Sequence, residues 1–181
     1  MNALQIDTIL RADKHLSHAN YLGVFACDNI PKIAKSLIPC CAVVNTQPHD
    51  QPGMHWVCFI KSSDNHGIYF DSYGHPPYNL REVAEILETC KDWDFNNTRL
   101  QTDFSSVCGQ YTIFVLTHLA RGFRLKHIIN LINDHGDTYA NDALIFSYIK
   151  NKYYDLLQKP QIKIIDIPFT LKNIEQSFAN M

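Results

Sequence analysis

A cysteine that can act as a nucleophile lies at the head of an apolar segment in the second half of the chain. The segment QTDFSSVCGQYTIFVLTHLARG spans residues 101–122, and Cys108 follows two serines and a valine in it. A helix that begins here places Cys108 in its first turn, where free N–H groups and the helix dipole stabilise a thiolate. A cysteine hydrolase also needs an imidazole base, a group that orients the imidazole, and donors for an oxyanion.

A predicted β-hairpin supplies the base and the orienting group. His55 begins HWVCFIKS (55–62), and Asp71 lies at the end of a strand predicted within IYFDSYG (68–74). Pairing of the two strands through the intervening turn centres the hairpin on residue 63, so that positions 55 and 71 are nearly opposite. We expect the carboxylate to accept a hydrogen bond from one ring nitrogen of the histidine, which leaves the other nitrogen for the nucleophile.

Gln101 is the candidate oxyanion donor. It lies seven residues before Cys108, so its side-chain amide can join the backbone N–H of the cysteine in an oxyanion hole. Gly109 is expected to leave the backbone uncrowded where a substrate carbonyl approaches. A core histidine, a turn aspartate and a structural cysteine are the commoner explanations of these residue types taken singly. The argument for chemistry therefore depends on their joint arrangement.

The remaining pattern predicts an α+β fold, with a mixed β-sheet packed against helices in one domain over residues 1–181. Ser105 or Ser106 is the expected N-cap of the helix at Cys108, which is apolar on every face and therefore expected to be central. Arg121-Gly122 is its expected end. The other predicted elements are a helix within 3–13, a buried strand over 40–45, and helices over 79–90, 125–133 and 141–159, the last ended by Pro160.

Composition excludes several classes of protein and site. Apolar residues make up 46% and charged residues 19% of the chain, with a net charge of −2 and a pI near 6.5, so no strong positive field attracts nucleic acid. The six cysteines form no CxxC pair or zinc-type spacing, which predicts no metal site and reduced thiols. No signal peptide is recognised, and no apolar run approaches the roughly 20 residues of a membrane span.

Three segments together resemble the adenovirus-type cysteine protease (adenain) family, including the proteases of virophages and Polinton-like viruses. They are MHWVCFI, IYFDSYG and LQTDFSSVCGQYTIFVLTHLA, which carry His-Trp at a strand start, an acidic residue after an aromatic-rich strand, and Gln seven residues before Cys-Gly. NYLGVFACDNIP and CCAVVNTQPHDQPGMHW resemble the family's N-terminal segments, so the resemblance covers roughly residues 20–120. It implies a papain-like site with the chain order His…Asp…Cys.

The resemblance implies a role for each site residue. His55 is the base, Asp71 its orienting group, Cys108 the nucleophile and Gln101 the oxyanion donor, while Trp56 packs beside the site. The implied function is a cysteine endopeptidase that cleaves viral capsid and core precursor proteins after small residues, often Gly, during virion maturation. The implied locations are the host cell interior and the virion, and no metal is required.

Two alternatives and two cofactor questions accompany this resemblance. The adenovirus enzyme has Glu where this chain has Asp71, and Asp is the residue of SUMO-specific proteases in the same clan, so a ubiquitin-like deconjugating protease is one alternative. An inactive virion structural protein with the same fold is the other. The adenovirus enzyme is stimulated by DNA and by a disulfide-linked viral peptide. Cys90, eighteen residues before Cys108, matches the spacing of the peptide-linked cysteine, although a plain helix-end cysteine is the alternative. The acidic pI argues against stimulation by DNA.

Overall fold

A five-stranded mixed sheet with helices on both faces forms the framework. The structure is a computed structural model and describes residues 1–134 and 136–158. The strands are β1 (Tyr21–Ala26), β2 (Cys40–Asn45), β3 (Trp56–Lys61), β4 (His66–Phe70) and β5 (Asp92–Phe95). The helices are α1 (Ala3–Arg11), α2 (Lys14–His18), α3 (Arg81–Leu87), α4 (Cys108–Leu119), α5 (Leu125–Ile132), α6 (Thr138–Lys152) and α7 (Tyr154–Gln158). The strand order is β1-β2-β3-β4-β5, with parallel pairs at the two edges and antiparallel pairs between them.

The sheet is buried on both faces because β2 and β3 are apolar at successive positions. In β2, Cys41 and Val43 face the larger core with α1, α4, α5 and α6, whereas Cys40, Ala42 and Val44 face the smaller core with α3. Side chains of a strand alternate between the two faces, so a continuous apolar run predicts burial on both. The prediction of an α+β fold with a mixed sheet packed against helices is confirmed.

Helix α4 is the centre of the larger core. It begins at Cys108 and ends at Leu119, and every residue in it except His118 is buried. Gly122 follows with a φ of +85°, a left-handed conformation that glycine adopts without strain. The expectations of a central helix that begins near Cys108 and stops at Arg121-Gly122 are therefore confirmed. The expected serine N-cap is wrong, since Val107 occupies the cap position and no side chain caps the helix.

The β3–β4 hairpin places His55 and Asp71 on the same face, with a register that differs from the predicted one. Cys58 pairs with Phe70, which centres the hairpin on residue 64. Continuation of this register beyond the strand ends puts His55 opposite Tyr73 and diagonal to Asp71. Because the shift moves each partner by two positions, the side chains keep their face and the two predicted residues still meet.

The other predicted elements are confirmed in outline. The first helix, the buried strand over 40–45, α3 and α5 lie where the sequence predicts them. The last predicted helix begins earlier than expected, at Thr138, and is interrupted at Tyr153. Its predicted end at Pro160 lies outside the described residues, and so do residues 159–181 of the predicted domain. Both edge strands, β1 and β5, were not predicted. Within the described ranges, no helix is long and apolar enough to cross a membrane.

A buried lysine anchors β3 at the end that is farther from His55. Lys61 is fully buried, and its Nζ donates to the carbonyls of Ala34 at 3.2 Å and Lys35 at 2.9 Å and to Thr89 Oγ1 at 2.9 Å. The two carbonyls end a 3₁₀ turn over Lys32–Lys35, so the ammonium caps that turn and ties it to the sheet. This contact holds the hairpin on the side of the smaller core.

We expect Lys61→Met to lower the free energy of unfolding by about 1–3 kcal/mol, because it leaves buried carbonyl acceptors without a donor. Urea unfolding followed by circular dichroism measures the change. Lys35→Ala is the control, since the exposed Lys35–Glu85 ion pair contributes about 0–1 kcal/mol. An unfolding midpoint for Lys61→Met no lower than that of the control contradicts the prediction.

Candidate active site

All four predicted site residues line one crevice at the edge of the sheet. His55 immediately precedes β3, Asp71 immediately follows β4, Gln101 lies in the connection after β5, and Cys108 is the first residue of α4. These positions are far apart in the chain but converge because β3, β4 and α4 pack directly on one another. The structure therefore brings together every residue of the predicted constellation.

The imidazole of His55 forms a short hydrogen bond with the carboxylate of Asp71. His55 Nε2 lies 2.6 Å from Asp71 Oδ1, and both side chains are buried. A carboxylate only accepts hydrogen bonds, so Nε2 carries the proton and Nδ1 is left to face Cys108. The carboxylate thus sets both the orientation and the tautomer of the ring.

Three neighbours hold this pair in position. Asp71 Oδ1 also accepts from the backbone N–H of Tyr73 at 2.9 Å, and the Tyr73 ring stacks on the His55 ring with centroids 4.7 Å apart. Asn96 is buried and binds the backbone of Asp71 twice, accepting from its N–H at 3.0 Å and donating to its carbonyl at 2.6 Å. Gly74 closes the turn with a φ of +76°, where a Cβ would lie 2.8 Å from the carbonyl carbon of Thr98.

The environment of Cys108 favours the thiolate. Burial raises its pKa, but a hydrogen bond with His55, the backbone N–H groups of Trp56 and Gly109 and the charge of the imidazolium lower the pKa by more, so that it falls below the usual value. The uncapped start of α4 contributes because its N–H groups have no side-chain acceptor. By contrast, burial raises the pKa of Cys40, Cys41 and Cys58.

His55 changes in the complementary direction. Burial lowers its pKa, but hydrogen bonds to Asp71 and to Cys108, with the charges of both, raise it to about 9 overall. A lowered cysteine pKa and a raised histidine pKa both favour the thiolate–imidazolium form of the pair over the neutral form. The geometry and the charges therefore agree on a cysteine whose ionised form is stabilised by its neighbours.

Gln101 is fixed by a serine that lies next to the aspartate. Its Oε1 accepts from Ser72 Oγ at 2.6 Å, and the Ser72 carbonyl accepts from the backbone N–H groups of Leu100 and Gln101 at 2.9 and 3.1 Å. The amide Nε2 then points toward the loop before α4, where it donates to Ser105 O at 3.0 Å and Ser105 Oγ at 3.1 Å. Ser72 thus determines which end of the amide faces the crevice.

The absence of a side chain at Gly109 is explained by packing, which differs from the explanation predicted from the sequence. A Cβ at this position would lie 2.9 Å from Ile6 Cδ1 and 3.4 Å from Met1 Cβ. The missing side chain therefore allows α1 to pack against the first turn of α4. The expectation that Gly109 clears a path for the substrate carbonyl is not supported by this contact.

Two cavities meet at the nucleophile. The first, called here the Met1 cavity, has a volume of about 520 Å³ and is lined by the N-terminal residues, the loop before β3, Trp56 and Cys108. The second, called here the Tyr78 cavity, has a volume of about 710 Å³ and is lined by His55, the loop after β4, Gln101 and Cys108. Trp56 lies beside the site as expected, and its indole N–H donates to the Met1 carbonyl at 3.3 Å.

Cys90 lies outside the crevice. It follows α3, is half-buried, and lines neither cavity; its Sγ is next to Gly67 on the neighbouring strand. Burial raises the pKa of this thiol. In residues 1–134 and 136–158, no cluster of three or more His, Cys, Asp or Glu side chains is arranged to hold a metal ion.

Three site residues were not predicted from the sequence. Tyr73 is directly opposite His55 in the hairpin, so a correct register would have indicated it. Ser72 and Asn96 contact Gln101 and Asp71 across 29 and 25 residues of chain, and no local pattern marks such partners. Ser72 orients the amide of Gln101, and Asn96 holds the backbone of Asp71.

The fold resembles solved cysteine-protease structures. The African swine fever virus (ASFV) pS273R protease aligns with a TM-score of 0.52 and 17% identity over 71% of this chain. The aligned part spans only 60% of that protease. ChlaDub1 from Chlamydia trachomatis aligns with a TM-score of 0.51 and 14% identity over 86% of this chain and 79% of that one. No curated protein matches the sequence.

A family model covers all four predicted site residues. The model that describes the adenovirus endoprotease matches residues 21–166, which include His55, Asp71, Gln101 and Cys108. This range exceeds three quarters of the 181 residues. The order of the site residues, their convergence and this match agree, and the chain belongs to the adenovirus endoprotease family.

Proposed function

We propose that this protein is a cysteine endopeptidase that cleaves capsid and core precursor proteins during virus particle maturation. The observation that carries the proposal is the buried His55–Asp71 hydrogen bond of 2.6 Å, with Cys108 at an uncapped helix start interacting with the same imidazole. The sites of action in this proposal are the interior of the host cell and the virion. Membership of the adenovirus endoprotease family supports the choice of protein substrates.

The residues of the crevice account for each step of peptide hydrolysis. The Cys108 thiolate attacks the peptide carbonyl, and the imidazolium of His55 then donates its proton to the leaving amine. A water molecule, deprotonated by the neutral His55, hydrolyses the thioester and releases the second product. Asp71 stabilises the imidazolium and fixes the ring throughout.

The oxyanion formed in the first step needs donors at the start of α4. The backbone N–H of Cys108 and the Nε2 of Gln101 are the proposed donors. Because Ser105 accepts from Nε2 in the structure, oxyanion binding requires the Ser105 segment to release at least one of these N–H groups. The Ser72 bond to Oε1 keeps the amide from turning its oxygen toward the oxyanion.

A deconjugating protease for ubiquitin-like proteins is the second candidate. Asp71, in place of the Glu of the adenovirus enzyme, is the observation that favours it. Both candidates use the same four residues, so the chemistry of the crevice does not distinguish them. Incubation with Gly-Gly-linked ubiquitin-like reporters and with recombinant viral capsid precursors, followed by mass spectrometry of new termini, separates the two.

Activation by a peptide disulfide-linked to Cys90 stays a prediction from the family resemblance, as does weak or absent stimulation by DNA. Incubation with a cysteine-containing peptide under mild oxidation tests the first, with an intact-mass increase at Cys90 as the readout. Addition of duplex DNA at low salt tests the second. Cys90→Ser is the control in the first experiment.

We expect Cys108→Ala to abolish cleavage of the capsid precursor and His55→Ala to reduce it on the order of 10²- to 10⁴-fold, because one loses the nucleophile and the other the acid–base group. The measurement is the appearance of new termini by mass spectrometry, with circular dichroism to verify folding. Cys41→Ala is the control, since that buried cysteine lies in β2 away from both cavities. Wild-type turnover in a folded Cys108→Ala protein would remove Cys108 from the mechanism.

We expect a bell-shaped dependence of kcat/KM on pH. The thiolate is lost as the pH falls through the lowered pKa of Cys108, and the imidazolium is lost as the pH rises through about 9. Iodoacetamide labelling of Cys108, read by peptide mass spectrometry, should exceed that of Cys27 and Cys90 at pH 7, because burial raises the pKa of both these thiols.

His55→Ala should move the labelling profile of Cys108 to higher pH, since the hydrogen bond and the charge of the imidazolium are removed. The labelling of Cys27 in the same samples is the internal control. An unchanged Cys108 profile in this variant would show that His55 does not stabilise the thiolate.

We expect Ser72→Ala to lower kcat with little change in KM, because Ser72 acts through Gln101 and not on the substrate. Gln101→Ala should cost on the order of 10²- to 10³-fold in kcat. The double variant should be no slower than Gln101→Ala alone, which a merely structural role of Ser72 does not predict. Ser36→Ala, an exposed serine with a local hydrogen bond, is the control.

A further inference from the structure

The Tyr78 cavity is the side of the crevice on which the leaving amine must depart. His55 donates the proton to that amine, so the substrate residue after the cleaved bond lies next to the imidazole. His55 lines the Tyr78 cavity and does not line the Met1 cavity. The acyl part of the substrate therefore lies toward the Met1 cavity, and the leaving part lies toward the Tyr78 cavity.

Aromatic and apolar side chains form one part of the wall of the Tyr78 cavity, and polar side chains such as Thr46, Asn79 and Ser106 form the rest. The loop after β4 contributes Tyr73, Pro76 and Tyr78, while Leu80 and Tyr69 lie beneath it. Tyr78 is 74% exposed and Met54 is 76% exposed, although both side chains are large and apolar in character. Exposed apolar side chains around a concave site are typical of a surface that a ligand covers.

The ionised groups that line the cavity are those of the reactive residues themselves, Asp71, His55 and Cys108. Among the described residues that line it there is no Lys or Arg, and its only carboxylate, Asp71, is bonded to His55. His75 at the mouth lies 3.4 Å from the other oxygen of Asp71. A charged substrate side chain in this cavity would lose water and would meet hydroxyl, amide and imidazole groups but no Lys or Arg.

We propose that the Tyr78 cavity is a specificity subsite for the residue directly after the cleaved bond, and that it selects a large apolar or aromatic side chain. The inference rests on the proposed function, because it needs a leaving amine protonated by His55. The volume of the Tyr78 cavity, about 710 Å³, lies within the range of ~300–1,000 Å³ that is typical of ligand sites. The cavity therefore accommodates such a side chain together with part of the following residue. Tyr78 and Met54 form the outer edge of this subsite, and the stacked Tyr73 its inner wall.

The test uses internally quenched peptides with a constant Gly-Gly acyl part followed by Phe, Leu, Gly, Ser, Asp or Lys. We expect kcat/KM for Phe and Leu to exceed that for Ser and Asp by about 10- to 100-fold, as for other apolar subsites. Tyr78→Ala should bring the Phe-to-Ser ratio toward one, and Tyr78→Phe should keep it. Tyr139→Ala, which changes another exposed tyrosine on α6 outside both cavities, should leave the ratio at the wild-type value.

A peptide that ends in a Gly-Gly vinyl methyl ester separates the failure of this inference from that of the proposed function. The probe reacts with Cys108 through the acyl side alone and has no residue on the leaving side. If the probe labels Cys108 but the Phe and Ser peptides give equal kcat/KM, the proposed subsite is wrong and the proposed peptidase activity stands. Absence of both labelling and cleavage overturns the peptidase, and the subsite with it.

Discussion

The 2.6 Å hydrogen bond between His55 and Asp71 is the interaction on which the rest of the crevice depends. It exists because β3 and β4 pair in a register that leaves both residues just beyond the strand ends and on the same face. The bond fixes the ring, and the fixed ring directs its second nitrogen toward Cys108. Without this hydrogen bond the ring would be free to rotate about its side-chain bonds, because a buried ring is held only by its contacts. Its second nitrogen would then no longer point toward Cys108.

Burial opposes ionisation of Cys108 and His55, whereas hydrogen bonds and, to a smaller extent, neighbouring charges favour it, and these favourable interactions prevail for both residues. Removal from water disfavours the thiolate of Cys108 and the imidazolium of His55 separately, but each is the hydrogen-bond partner of the other. The uncapped start of α4 adds donors to the sulfur side, and Asp71 adds a carboxylate to the ring side. The same fold leaves Cys41 and Cys58 without any such partner, and burial, with a smaller contribution from neighbouring groups, raises the pKa of both.

The sequence predicts the elements that are long or strongly patterned and the residues that carry chemistry, but not the contacts that orient them. β2 and α4 are evident because their apolar runs are continuous. β1 and β5 are not evident from the sequence. Gly23, with a φ of +135°, interrupts β1, and β5 is only four residues long and contains two aspartates. The expected cap by Ser105 or Ser106 is wrong because the helix begins at Cys108 with Val107 at the cap position, and Ser105 Oγ accepts from Gln101 instead. Such long-range choices depend on the folded chain and have no local signal.

The packing of α1 against the first turn of α4 makes the amino-terminal residues part of the wall beside the nucleophile. Ile6 fills the space next to Gly109, and the Met1 carbonyl is held by the indole of Trp56. Any residues joined ahead of Met1 would therefore begin at the wall of the Met1 cavity. In preparations that carry such an extension, the added residues would partly obstruct the Met1 cavity, so a measured activity would not reflect the reactivity of the Cys108 sulfur alone.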